Sequence, residues 1–122
     1  MSGTRFILLA VRDLFFAAKI RTAAAHLGLE VGHTTALRLV DDCRRRRPDL
    51  VIVDLHAADG LLDAVRDMKR DAALAAVPVI GFYSHVDDAV RRAALEAGVD
   101  EAMPRSAFTL RLAALLEGRG RA

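Results

Sequence analysis

Asp54 is the residue with the clearest chemical prospects. It closes the run Leu50-Val51-Ile52-Val53, which Pro48 precedes and Asp59-Gly60 follows. Pro48 cannot continue a helix, and a short apolar run without alternation reads as a strand buried on both faces of a parallel sheet. A carboxylate at the carboxyl end of such a strand stands where open α/β sheets place ligands and chemistry. Three other stretches end comparable runs: Ala10 to Asp13, Tyr83-Ser84-His85, and Pro104-Arg105-Ser106. If those ends share one rim, an acid, a hydroxyl and a guanidinium meet there.

Other constellations are weaker. Ser84-His85 with Asp87 suggests a hydrolase triad, but adjacent Ser and His rarely reach productive geometry, and no Gly-x-Ser-x-Gly elbow is present. His26, His33, His56 and His85 have no metal-ligand spacing, and Cys43 adds little. Asp13 reads as a helix cap before it reads as a metal ligand. Asp54 itself has a plainer option, which is to cap the loop that follows it.

The elements that must position these groups alternate. Arg5–Val11 is an apolar strand-like run, and Leu14–Leu27 has Phe16, Ile20, Ala24 and Leu27 on one helical face, with Gly28 as a stop. Leu29–Thr35 alternates, as a strand near the sheet edge does. Ala36–Arg47 reads as a helix with Leu37, Val40 and Cys43 inward, and Arg44 to Arg47 suit its negative pole. After the central strand, the pattern predicts a helix over Gly60–Asp71, a strand over Val79–Tyr83 and a helix over Asp87–Ala97 ended by Gly98. A strand over Val99–Met103 and a helix over Thr109–Glu117 complete it, with Gly118 onward as a frayed tail. Five alternations make one doubly wound α/β domain over 1–122.

Composition narrows the classes. Apolar residues make up 53% and charged residues 28%, a balance of a folded chain rather than a disordered one. The net charge of +2 is too small to argue for nucleic acid. The single cysteine forms no internal disulfide and fits a reducing compartment. With no leader pattern and no membrane-length apolar run, the expectation is a cytoplasmic protein without membrane contact.

On the Pro-Asp-Leu-Val-Ile-Val-Asp-Leu run, the Pro-Val-Ile opening of the fourth strand and Ala97-Gly98-Val99-Asp100-Glu101, the chain resembles the receiver domain of response regulators. The resemblance covers nearly the whole chain. It implies a flavodoxin-like α/β/α fold, with a five-stranded parallel sheet in the order 2-1-3-4-5 and five helices. It also implies that Asp54 is the phosphoacceptor, that Tyr83 or Ser84 contacts the phosphoryl oxygen, and that Arg105 stands where receivers carry a lysine. Departures are marked. Leu9 and Ala10 occupy the places of two Mg²⁺-binding acids, leaving Asp13, Asp54 and the His56 backbone as weak metal candidates. Ala102 stands in the place of an aromatic switch.

With the acids lost and Lys replaced by Arg, the expectation is a standing Asp54–Arg105 ion pair with Ser84 nearby. Such a degenerate receiver acts by docking a protein partner, a histidine kinase or a downstream effector, with no cofactor and with phosphorylation weak or absent. The alternatives are an active, Mg²⁺-using receiver and a small flavodoxin-like cofactor carrier. The latter is disfavoured because no glycine-rich or Ser/Thr-rich loop follows the first strand. Leu112, Leu115 and Leu116 read as core. Asp88, Arg91, Arg92, Glu101 and Arg111 are the candidate interaction surface, which in receivers is also a dimer surface.

Overall fold

The computed structural model describes residues 4–56, 59–84 and 87–118. Four of its strands are short, mostly apolar runs of buried or half-buried residues: β1 (Phe6–Ala10), β3 (Leu50–Asp54), β4 (Val79–Tyr83) and β5 (Glu101–Pro104). The other strand, β2 (Glu30–His33), is more exposed and pairs only with β1. All pairings are parallel, and the order is β2-β1-β3-β4-β5. β2 thus lies at an edge, as its alternation suggests.

Helices cover both faces. Leu8, Val51, Val53 and Val79 pack against α2 (Leu39–Arg45), α3 (Leu61–Arg70) and α4 (Asp88–Ala97). Ile7, Leu9, Leu50, Ile52 and Phe82 pack against α1 (Leu14–His26), α5 (Arg105–Leu110) and α6 (Leu112–Leu116). Successive strand residues point to opposite faces, so a strand covered on both sides must be apolar at every position. This is the three-layer flavodoxin-like arrangement.

Local chemistry sets the ends. The Asp13 side chain caps α1 by accepting from Phe16 N at 3.1 Å, and Asp87 caps α4 through Ala89 N and Val90 N. Gly98 ends α4 at φ 111°, and Val99 N then donates back to Ala94 O. That closure uses Val99, so β5 begins at Glu101 rather than at Val99. Lys69 braces the same turn, donating to Val77 O at 2.8 Å and Asp100 Oδ2 at 2.9 Å.

Two helices differ from expectation. α2 starts at Leu39 after a turn, so Leu37 falls outside it and is 91% exposed, while Leu39 and Cys43 are buried. The last helical region starts at Arg105, directly after Pro104, and breaks at Arg111, giving two short helices and six among the described residues instead of the expected five. Leu112, Leu115 and Leu116 are core, as their spacing indicates. The tail from 119 onward lies outside the described residues. No helix among the described residues is long and apolar enough to cross a membrane.

Candidate functional site at the carboxyl rim of the sheet

Asp54 ends β3 level with Phe82 of β4. By alternation its side chain follows Leu50 and Ile52 toward the α1 and α5 side. It is 6% exposed and is the buried charged residue among the described residues. Its Oδ1 accepts from the backbone N–H of His56 at 2.9 Å, so the carboxylate caps the β3–α3 loop. The expected Asp54–Arg105 pair does not form.

Arg105 turns to Asp13 instead. Its Nη1 donates to Asp13 Oδ2 at 3.1 Å, while Asp13 Oδ1 holds Phe16 N. The guanidinium carbon lies 4.4 Å from the centre of the Phe16 ring and 5.4 Å from that of Phe82. Phe16, Phe82 and Phe108 form a tilted aromatic trio beneath it. The physical reason for the exchange is solvation. Asp13 keeps 38% of its side chain exposed, so pairing there costs less desolvation than drawing a guanidinium onto a buried carboxylate. The Phe16 amide, then Arg105, holds the Asp13 carboxyl below the usual carboxylate range. The clasp joins α1 to α5 across 92 positions of sequence, which no local pattern could indicate.

The other named residues are dispersed. Tyr83 is buried and, one position past Phe82, points to the face opposite Asp54. Ser84 is exposed at the rim. His85 lies outside the described residues, so the Ser84-His85-Asp87 triad has no described geometry. On the α4 side, Asp88, Arg91 and Arg92 are exposed, and Arg111 pairs with Glu101 at 3.3 Å. The Arg44–Arg47 run, which reads as a solvated helix end, is largely tied down. Arg44 holds Asp71 at 2.9 Å, Arg45 faces Asp42 at 3.4 Å, Arg46 forks onto Glu30 at 2.8 Å and Arg47 donates to Ala73 O at 3.0 Å.

A putative response regulator from Chloroflexus aurantiacus superposes with a TM-score of 0.78 at 16% identity, covering 94% of this chain and 99% of that one. The signal receiver domain of a histidine kinase from Syntrophus aciditrophicus gives 0.77 at 22%, covering 98% and 95%. The phosphorylated cyanobacterial phytochrome response regulator RcpA gives 0.76 at 19%, covering 95% and 91%. The chain has the response-regulator receiver fold. The KDP operon transcriptional regulatory protein KdpE of Escherichia coli is 34% identical over 84 residues, 67% of this chain and 36% of that protein. The chain thus spans about a third of that relative's length. No family model matches.

Mg²⁺ takes oxygen ligands in near-octahedral geometry and is held by one or two carboxylates plus phosphate. The end of β1 offers Leu9 and Ala10, both buried and without side-chain oxygen. Asp13 has both oxygens engaged. Among the described residues no three His, Cys, Asp or Glu side chains gather in a group that could hold a metal. These residues do not fit a Mg²⁺ site of the receiver kind.

Proposed function

We propose that this chain is a receiver-type signalling module that acts by docking a protein partner, with no enzymatic activity and with Mg²⁺-dependent phosphorylation of Asp54 weak or absent. One observation carries the reading. The rim that would hold a phosphoryl group and its metal is occupied by an internal clasp, Arg105 on Asp13 at 3.1 Å, while the end of β1 is apolar. A metal neutralises charge as phosphoryl moves onto a carboxylate. Among the described residues, no three metal-ligating side chains gather near enough together to hold one. The partner in this reading is a histidine kinase or a downstream effector, met in the cytoplasm.

A second reading has support from the position of Asp54 at the end of the central strand: an active receiver phosphorylated on Asp54 by a histidine kinase. Incubation with acetyl phosphate and Mg²⁺, followed by intact-mass measurement and an acid-lability check, separates the two. The first reading expects no adduct. An acid-labile phosphoryl group that disappears in Asp54→Asn would establish the second.

A further inference from the structure

The face of the sheet opposite Asp54 has a concave site of its own, where α2 passes over the edge strand β2. By alternation Glu30 and Gly32 of β2 point toward α2, while Val31 packs on the other side. Gly32 brings no side chain to fill the space beneath α2. A Cβ there would meet Phe6 Cζ at 3.0 Å and Leu8 Cδ1 at 3.4 Å. The result is a cleft of about 180 Å³ with an apolar floor of Phe6, Leu8 and Gly32. Glycine inside a strand often marks such a place of close approach. The wall above the floor is charged: Arg38, Asp42, Arg45 and Arg46, from α2 and the turn before it.

That wall has donors to spare. Arg46 is engaged, forked onto Glu30 at 2.8 Å with its guanidinium 3.9 Å over the Phe6 ring. Arg38 and Arg45 are not. They stand 3.6 Å and 3.4 Å from Asp42 Oδ1, within ion-pair range, but their side chains make no hydrogen bond among the described residues. Asp42 keeps only 10% of its side chain exposed. Its Oδ2 accepts from Thr34 Oγ1 at 2.7 Å, and its buried Oδ1 has no hydrogen-bond partner. A buried oxygen left this way is costly; here it holds two guanidinium groups side by side at the cleft. Three guanidiniums meet two carboxylates, Asp42 and Glu30, so one positive charge is left over. We propose that the α2–β2 cleft binds a small organic anion, its carboxylate or phosphoryl group held by Arg38 and Arg45 and its compact apolar body laid over Gly32. The guanidinium fork matches the paired oxygens of either group, and the anion brings the wall to neutrality. A cleft of this volume takes a single ring rather than a stretch of polypeptide. The inference goes beyond the docking reading and depends neither on it nor on Asp54.

The test is an amide NMR titration of the full chain, at constant ionic strength, with benzoate, phenyl phosphate, inorganic phosphate and benzylamine. Benzoate or phenyl phosphate should give saturable shifts at Gly32, Arg38 and Arg45, and the tighter of the two tells a carboxylate site from a phosphoryl site. Benzylamine, a like ring with the opposite charge, should give none. Inorganic phosphate, which lacks the ring, should bind about tenfold more weakly than phenyl phosphate or not at all. Arg38→Gln and Arg45→Gln, at side chains 64% and 70% exposed, should each weaken binding about tenfold. No saturable shift with either ring-bearing anion, an equal response to benzylamine, inorganic phosphate binding as tightly as phenyl phosphate, or binding unchanged in both arginine variants would each overturn the proposal. So would an acidic peptide that shifts these amides where neither small anion does. Asp54→Asn should leave the titration unchanged, which keeps this outcome separate from the phosphorylation question.

Discussion

Phe16→Leu is the perturbation that tests how the rim is held. Leucine keeps an apolar, helix-favouring side chain on α1 but removes the ring. Two ring pairs go with it, at centroid distances of 4.7 Å to Phe82 and 5.8 Å to Phe108. Such pairs are worth about 0.5–1.5 kcal/mol each beyond their buried area. The guanidinium 4.4 Å over the ring adds about 0.5–1 kcal/mol at a partly exposed site. The expected loss is about 2–3 kcal/mol, the sum of those contributions with leucine restoring part of the packing. The stacking share can be isolated by combining Phe16→Leu with Arg105→Ala in a double-mutant cycle. Urea unfolding of the four proteins should give a coupling of about 0.5–1 kcal/mol with slopes unchanged. Additivity within about 0.3 kcal/mol would refute the stacked guanidinium. A single-variant loss well under about 1 kcal/mol would refute the aromatic floor as well.

Three further outcomes follow from particular residues. Gly98→Ala should destabilise by about 1–2 kcal/mol or more in urea unfolding, from the left-handed backbone alone, because φ is 111° and the new Cβ would meet Lys69 Cγ at 2.7 Å; unchanged or raised stability would contradict it. Burial, with the Asp42 charge adding to it, pushes the Cys43 thiol up to about 11, so iodoacetamide near neutral pH should modify it only after unfolding, as mass spectrometry would read. Asp13, Glu30 and Asp71 each hold their carboxyls below the usual range, through the Phe16 amide, Arg46 and Arg44 respectively. The unfolded chain therefore binds protons first, so their stabilisation is present above the ordinary carboxylate pKa and is lost as pH falls through the lowered folded values. Asp13→Asn keeps a cap acceptor but should flatten that acid limb in urea midpoints measured from about pH 7 to about pH 2.

Much of the fold was legible because it rests on local rules. β3 and β4 are apolar at nearly every position, and Asp13 and Gly98 are caps by residue type. The misjudged elements are those where a turn competes with a helix. Leu37 has the spacing of a core residue but precedes the first turn of α2. Arg105 follows a proline and still opens a helix, because Pro104 needs only an extended ψ of 150° to sit at the N-cap. The site was half legible. Asp54 lies at the rim, as its place in the run indicates. The partner of Arg105 did not show in the sequence, since it depends on which of two carboxylates is cheaper to desolvate. Asp54 caps the loop that follows it, the plainer role the sequence offered beside its standing at the rim.

The most direct test of the proposed loss of phosphoryl chemistry at the rim is an amide NMR titration with Mg²⁺, then beryllofluoride, which mimics a phosphoryl group on a carboxylate. The account predicts no saturable shift at Asp54, Ser84 or Arg105 in a folded sample. Saturable shifts at those residues that require both additions would contradict it and restore Asp54 as a working phosphoacceptor.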